Sequence, residues 1–227
     1  MTYDAILFDM DGVLLSGYET PPEVYRKATR RLLTGFGVAP EVDGIPDGLA
    51  VPGSAATFRT ACQSIGLPPA PAWAYRERVS SGIARDRLRA GKREPFNDAS
   101  VLADLGAHYE IGICSNNRHD TVGDCTELFD WDTVDTFRGR FPTLGDYDER
   151  KPKPTYLEWV LERLNAAEPL FVGDRISDIQ TASAIDCDAA LLTRRGPVPT
   201  GTVEPTFHIE GLDELYTLHE SNWHVDP

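Results

Sequence analysis

The chain has 227 residues, of which 41% are hydrophobic, so it can form one sizeable domain, or a core with a smaller insertion, and does not resemble a disordered chain. Its formal net charge of −14 at pH 7 argues against DNA or RNA as a partner, because both polyanions would be repelled. No apolar run approaches the length of a membrane span and no basic region precedes the first apolar run, so we predict a cytoplasmic protein with no membrane partner.

The first predicted element is a short buried strand that ends in two aspartates. Residues 5–8 are too few for a helix and lack polar alternation, which is typical of a strand buried on both faces of a parallel sheet. Asp9 and Asp11 follow, and Gly12 lets the backbone turn sharply. Active sites of open α/β sheets lie beyond the carboxyl ends of their strands. Two carboxylates there favour a hard cation such as Mg²⁺, although a lone Asp-x-Asp is more often an ordinary acidic turn.

Three helices without an intervening strand are predicted next, at about residues 23–33, 54–65 and 73–90. Ser54 is the expected N-cap of the second helix, and the prolines at 68, 69 and 71 are expected to break the chain before the third. A glycine- and proline-rich loop is predicted over residues 34–53. This segment is best interpreted as an insertion into an α/β pattern.

The α/β pattern resumes at residue 95, with strands predicted at about residues 111–114, 136–141, 170–172 and 189–192 and from residue 207 onward, separated by helices. The predicted fold is therefore a Rossmann-like, doubly wound, mostly parallel sheet with a small inserted helical cap. The predicted core comprises residues 1–15 and 95–227, and the predicted cap residues 16–94.

Polar residues recur at the ends of these predicted strands and at helix starts. Ser115, followed by Asn116, ends the second core strand, and Lys151 opens a helix. Asp174 and Asp178 follow the strand at 170–172. Each of these signals is weak alone, whereas their order along the chain together with Asp9 and Asp11 is highly specific.

In this set of motifs the sequence resembles the haloacid dehalogenase-like (HAD) hydrolase superfamily, in its phosphatase branch. FDMDGVL matches the first motif, Ser115 the second, Lys151 in KPKP the third, and Asp174 with Asp178 in GDRISD the fourth. The resemblance covers the start of the chain and everything after residue 95. It implies that the insertion is the helical cap of the family's first subclass.

The resemblance also implies a role for each candidate residue. Asp9 would be the nucleophile and a Mg²⁺ ligand, and Asp11 the general acid and base, with its carbonyl on the metal. Lys151 would offset the charge of Asp9 and of the phosphoryl group, which Ser115 and Asn116 would help to bind. Asp174 would be the third Mg²⁺ ligand, and Asp178 would hold a metal-bound water or position Lys151.

Simpler roles remain open for several of these residues. Ser115 and Asp178 would each also serve as an ordinary helix cap. Lys153 is an alternative to Lys151, although the family pattern places the catalytic lysine before the first proline. His119 lies close to the second motif but is interpreted as a surface residue.

The implied activity is Mg²⁺-dependent hydrolysis of a small phosphorylated metabolite through an aspartyl-phosphate. A phosphomutase of the β-phosphoglucomutase kind is the alternative, because it would keep the same residues. A 2-haloacid dehalogenase is disfavoured, since that branch does not keep the second aspartate. A catalytically inactive binding protein is disfavoured because Asp9, Asp11, Lys151 and Asp174 are all present.

Charge distribution adds an expectation about the substrate. The predicted cap has twelve basic and eight acidic residues, a net charge of +4, which leaves −18 for the remainder. A positive lid would favour substrates with a second anionic group beyond the transferred phosphate, such as phosphorylated carboxylic acids. We therefore predict that at least one cap arginine, which the sequence does not single out, contributes to binding them.

Overall fold

The computed structural model describes residues 3–16, 20–39, 45–46, 48–194 and 196–217. Its sheet has six strands: β1 (Ala5–Phe8), β2 (Glu110–Arg118), β3 (Thr136–Arg140), β4 (Pro169–Gly173), β5 (Asp188–Leu192) and β6 (Phe207–Ile209). The strand order is β3-β2-β1-β4-β5-β6, and every pairing between them is parallel. This is the order of a doubly wound Rossmann-like sheet, so the predicted fold class is confirmed.

The described helices are α1 (Pro22–Gly35), α2 (Ala55–Ser64), α3 (Pro69–Arg89), α4 (Val101–Leu105), α5 (His119–Leu128), α6 (Leu144–Tyr147), α7 (Thr155–Leu164) and α8 (Ile176–Ser183), with 3₁₀ turns at Asn97–Ser100 and Leu212–Glu214. None of the helices in these described ranges is both long and apolar enough to cross a membrane.

Helices cover both faces of the sheet, which explains the continuous apolar run of β1. Ile6 and Phe8 pack on one face in a cluster that includes residues of α4 and α5. Ala5 and Leu7 point to the other face and pack with residues of α7 and α8. All four side chains are buried, and fully burying a side chain such as Phe8 contributes roughly 1.5–3 kcal/mol. β1 is thereby fixed at the centre of the sheet.

Helices α1 to α3 lie between β1 and β2 in the chain and pack mainly on one another. Val24 and Ala28 of α1 form a small apolar cluster with Ile83 of α3. Trp73 of α3 contacts Tyr147 of α6, with ring centroids 4.6 Å apart, and so joins the inserted helices to the part of the chain that carries the sheet. The helical insertion is observed, whereas its description as a separate cap domain stays a prediction.

The two segments that lead into and out of the inserted helices are hydrogen-bonded to each other. The Ser16 amide donates to the Glu94 carbonyl at 2.9 Å, and the Phe96 amide donates to the Leu14 carbonyl at 2.9 Å. The insertion therefore starts and ends at one place, directly after the first sequence motif.

The predicted elements differ from the observed ones at three places. Helix α3 begins at Pro69, not near residue 73, because prolines are compatible with a first helical turn, whose N–H groups have no partner within the helix. Strand β2 continues through Ser115 to Arg118, with a register shift against β3, instead of ending at Cys114. The short helix α6 was not predicted. Part of the predicted loop at 34–53 lies outside the described residues.

Candidate active site

The residues singled out by the sequence converge at the carboxyl edge of the three central strands. Phe8 pairs with Ile113 of β2 and with Val172 of β4, so the residues that follow these positions lie side by side. A cavity of about 260 Å³ opens at this edge, and its lining includes six of the predicted site residues: Asp9, Asp11, Ser115, Asn116, Lys151 and Asp178.

The Lys151 ammonium lies between two carboxylates. Its Nζ is 3.0 Å from Asp9 Oδ1 and 2.6 Å from Asp178 Oδ1, and it also donates to the Cys114 carbonyl at 3.0 Å. Burial lowers the pKa of Lys151, but the two carboxylates, Asp178 foremost, outweigh it and raise the pKa above the ordinary value. Lys151 is therefore a fixed positive charge beside Asp9.

Asn116 fixes the backbone at Lys151. Its side-chain amide donates to the Lys151 carbonyl at 3.0 Å, and its side-chain oxygen accepts from the Lys151 amide at 2.8 Å. This pair of bonds joins the end of β2 to the segment before α7. Lys153, the alternative considered from the sequence, is half exposed and pairs with Glu149 at 2.9 Å.

Three buried carboxylates lie close enough to share a cation. Asp9, Asp174 and Asp178 each offer an oxygen, and these oxygens lie within 4.8 Å of one another. Both oxygens of Asp174 are buried without a hydrogen-bond partner among the described residues. Burial first, and then repulsion from Asp9 and Asp178, raises the pKa of Asp174 to about 7. These residues fit a Mg²⁺ ion, because a hard cation satisfies unpartnered carboxylate oxygens and offsets their repulsion.

Asp11 is held apart from that group. Its Oδ1 accepts from the Arg93 guanidinium at 2.7 Å, and its Oδ2 accepts from the Asn117 side-chain amide at 2.8 Å. Burial is the largest influence and raises the pKa of Asp11; Arg93 opposes it and Asp9 adds to it, so the net pKa lies above the usual value. A carboxyl group with a raised pKa suits proton transfer near neutral pH.

Ser115 is buried and does not cap the following helix. Its hydroxyl accepts from the Asn117 amide at 3.2 Å, while α5 begins at His119 without a side-chain cap. His119 is partly exposed, and its ring lies 4.8 Å from that of Phe137. It is absent from the cavity lining.

Asp178 contacts Lys151 and also caps a helix, which are two of the three roles that the sequence left open for it. One of its oxygens pairs with Lys151, and the other accepts from the Arg175 amide at 3.0 Å at the start of α8. Gly173 allows this approach, because a Cβ built there would lie 2.3 Å from the Asp178 Cβ.

The structure gives a position or a role to residues for which the sequence predicted no role. Arg93 and Asn117 hold Asp11, and the cavity is also lined by Tyr25, Arg76 and Arg140. Arg140 ends β3, so the rule that predicted Ser115 would also have identified it. Nothing in the sequence distinguishes Arg76 from the other arginines of α3.

The fold and the site define an α/β protein with an acidic, cation-compatible centre at the switch point of a Rossmann-like sheet. The model of the haloacid dehalogenase-like hydrolase family matches residues 3–186. The chain therefore belongs to that family, and the predictions of the family and of a hydrolase are confirmed.

Solved structures agree in fold. A HAD phosphatase from Thermococcus onnurineus is 19% identical, with 95% of this chain and 97% of that chain covered and a TM-score of 0.58. A 2-haloacid dehalogenase from Pseudomonas syringae pv. Tomato DC3000 is 16% identical, with 97% and 99% covered and a TM-score of 0.64. YfnB from Bacillus subtilis, in a magnesium-bound structure that reveals interdomain movement, is 17% identical, with 97% and 100% covered and a TM-score of 0.56. The comparison with curated proteins finds no match.

Proposed function

We propose that this chain is a Mg²⁺-dependent phosphatase that hydrolyses a small phosphate monoester through an aspartyl-phosphate on Asp9. The observation that carries the proposal is the Asp9 carboxylate itself. It lines the cavity, and its Oδ1 lies 3.0 Å from the Lys151 ammonium. An Asp9 oxygen also lies within 4.8 Å of the Asp174 carboxylate, whose oxygens have no hydrogen-bond partner among the described residues. A nucleophile, a fixed positive charge and a cation-binding carboxylate are what phosphoryl transfer requires.

In the first step, an Asp9 oxygen attacks phosphorus as the bond to the alcohol oxygen breaks. Asp11, in its protonated form, gives its proton to that departing oxygen. Water then attacks the phosphorus of the aspartyl-phosphate, Asp11 accepts a proton from it, and phosphate leaves with Asp9 regenerated. Ser115 and Lys151 bind the phosphoryl oxygens throughout, and Asn116 holds Lys151 in place.

The metal site has its own residues. Mg²⁺ would be held by the carboxylates of Asp9 and Asp174 and by the main-chain carbonyl of Asp11, with Asp178 behind them. When bound, it supplies positive charge that offsets the phosphoryl oxygens and the buried carboxylates. The magnesium in the YfnB structure supports this choice of ion.

The inserted helices are proposed to act as a cap over this site, with residues 16–94 as the cap and the remainder as the core. Residues of α1 and α3 contribute to the cavity lining, and the interdomain movement of YfnB supports a mobile cap. Covering the site would exclude water from the first step. The cytoplasmic location remains a prediction.

The placement of Asp11 supports a phosphatase over a dehalogenase. A halide leaves without a proton, whereas an alkoxide needs an acid. Asp11 is partly buried, has a raised pKa and is oriented by Arg93 and Asn117, as such an acid requires.

The test is phosphate release from a panel of phosphate monoesters with Mg²⁺ or EDTA. We expect turnover only with Mg²⁺, a phosphoryl group on Asp9 in acid-quenched protein by mass spectrometry, and neither in Asp9→Asn, because an amide is no nucleophile. Phosphate release by Asp9→Asn at the wild-type rate would refute the proposal. Isomerised sugar phosphate in place of free phosphate would identify a phosphomutase.

A further inference from the structure

The active-site cavity extends to a cluster of arginines that the reaction does not use. Its lining includes Tyr25 of α1, Arg76 of α3 and Arg140 at the end of β3 together with Asp9. Arg140 donates to the Asn116 carbonyl at 3.0 Å, and Asn116 in turn binds the Lys151 backbone. The cluster is therefore a direct neighbour of the phosphate-binding residues.

Positive charge exceeds negative charge in this cluster. Arg118 does not line the cavity but belongs to the same cluster, because its guanidinium lies 5.5 Å from the centre of the Tyr25 ring. Arg76, Arg118 and Arg140 are all buried, at 2%, 2% and 5% exposure. In the described part of the chain, Glu77 is the carboxylate that pairs with them, 2.7 Å from Arg76 and 2.6 Å from Arg140. One carboxylate offsets one of the three guanidinium charges, so about two remain. Buried charge without a counterion is costly, which favours binding of an anion here.

Unused hydrogen-bond donors support the same conclusion. Arg76 Nε is buried with no partner among the described residues, and so are Nε and Nη1 of Arg118. The pKa of Tyr25 is also lowered: burial raises it, but Arg118 and Arg140 outweigh burial. Arg76 thus lines the cavity in a region of positive potential, and its Nε has no hydrogen-bond partner within the described ranges.

We propose that Arg76 and Arg140 bind a carboxylate of the substrate while its phosphoryl group faces Asp9, so that the enzyme acts on phosphate monoesters of small hydroxy acids. The planar guanidinium matches a carboxylate through paired hydrogen bonds. A cavity of about 260 Å³ admits a molecule of this size but lies below the roughly 300 Å³ lower end of drug-sized sites. This inference rests on the proposed phosphatase function.

The test compares substrates that differ only in the carboxylate. The wild-type enzyme is assayed on 2-phosphoglycolate against 2-hydroxyethyl phosphate, and on 3-phosphoglycerate against glycerol 3-phosphate. We expect kcat/KM to favour the acid by at least about tenfold in each pair, since charged hydrogen bonds in a buried site are strong. Equal values, or values favouring the neutral member, would overturn the subsite.

Two variants test whether Arg76 causes the preference for the acid substrate. Arg76→Gln should reduce the acid-to-neutral ratio of kcat/KM to near unity, mainly through a higher KM for the acid. Arg78→Gln is the matched control, because Arg78 is exposed on the same helix and does not line the cavity; its ratio should stay at the wild-type value. An unchanged ratio in Arg76→Gln would overturn the assignment. If that variant does not fold, Arg140→Lys is used, and the wild-type ratio remains decisive.

Failure of the subsite and failure of the phosphatase proposal are separable. Asp9→Asn protein is titrated with 2-phosphoglycolate and with 2-hydroxyethyl phosphate by calorimetry. Tighter binding of the acid, without turnover by the wild-type enzyme, would support the subsite and reject the phosphatase. Turnover of both substrates with equal affinity would reject the subsite and leave the phosphatase in place.

Discussion

At the scale of single residues, two aspartates separated by one residue have different surroundings. The Asp9 carboxylate pairs with the Lys151 ammonium, whereas the partly buried Asp11 carboxylate lies between Arg93 and Asn117 and has a raised pKa. These different contacts support the proposal that Asp9 is the nucleophile and that Asp11 transfers the proton.

This difference predicts how Asp11→Asn will behave. Hydrolysis of an alkyl phosphate should fall by roughly 10²–10⁴-fold, the usual scale of general acid–base catalysis. The fall should be smallest for p-nitrophenyl phosphate, whose leaving group needs no proton. Steady-state rates on the two substrates provide the measurement. Equal losses on both would exclude Asp11 as the acid.

Mg²⁺ binding should be better preserved in Asp11→Asn than in Asp9→Asn, because the Asp11 side chain is bound to Arg93 and Asn117 and only its main-chain carbonyl is expected on the metal. Titration of each variant with Mg²⁺, followed by calorimetry, measures this. Weaker Mg²⁺ binding by Asp11→Asn than by Asp9→Asn would contradict the expected set of Mg²⁺ ligands.

The pKa of Asp174 predicts how Mg²⁺ stabilises the protein as pH changes. Asp174 has a pKa of about 7 when folded, against 3.8 ordinarily. Because folding raises the pKa, protonated Asp174 contributes to the free energy of unfolding. This contribution is fully present below pH 3.8 and is lost as pH rises through 7. The metal-free protein is therefore penalised most above pH 7, where Mg²⁺ would relieve the repulsion. Mg²⁺ should raise Tm more at pH 8 than at pH 5.5.

Differential scanning fluorimetry at matched ionic strength measures this difference. Asp174→Asn is the control, and it should reduce the Mg²⁺-induced rise at pH 8 because a proposed ligand is lost. A rise of the same size at both pH values in the wild-type protein would contradict the assignment of Asp174 to the metal site.

At the scale of secondary-structure elements, the sequence predicts the strands of the sheet better than it predicts helix starts and long-range contacts. β1 was predictable because burial on both faces leaves an uninterrupted apolar run, and Asp9 had to follow it at the active edge. Asp11's partner Arg93 was not predictable, because 82 positions separate the two residues and the fold alone brings them together. The α3 start was misjudged because prolines fit both a break and a first turn.

The contact between α3 and β3 makes a prediction about stability. Glu77 of α3 lies buried between Arg76 and Arg140. Glu77→Gln leaves both guanidinium groups without a counterion and should lower the free energy of unfolding by about 3 kcal/mol, the lower end for removing one partner of a buried pair. Urea denaturation measures the loss. Asp86→Asn, an exposed position on α3, should stay within about 0.5 kcal/mol of wild type; a similar loss in both variants would refute the prediction.

At the scale of the whole molecule, charge is unevenly distributed. The chain carries −14 overall, while residues 16–94 carry +4. The remainder is therefore strongly acidic and repels itself, which lowers the stability of the compact state. The net charge of the molecule repels anionic substrates. The local excess of arginines beside the active site must therefore offset a repulsion that a neutral protein would not exert.

Added salt should therefore stabilise the protein. Raising NaCl from about 10 mM to 500 mM shortens the screening length severalfold and weakens this repulsion. We expect Tm at pH 7.5 to rise across that range. Near pH 5, close to the sequence pI of 4.7, the rise should be much smaller. A Tm that falls with NaCl at pH 7.5 would show that attractive ion pairs dominate.

The hydrogen bonds between Ser16 and Glu94, and between Leu14 and Phe96, have a consequence for how this enzyme can change over evolution. Because the inserted helices leave and rejoin the sheet at one point, their length and sequence can vary without altering the distance between β1 and the strands beside it. If the inserted helices form the proposed cap, substitutions in α1 to α3 would change the substrate preference while the proposed phosphoryl-transfer residues keep their geometry. The proposed cap would then let substrate preference evolve largely apart from the proposed chemistry.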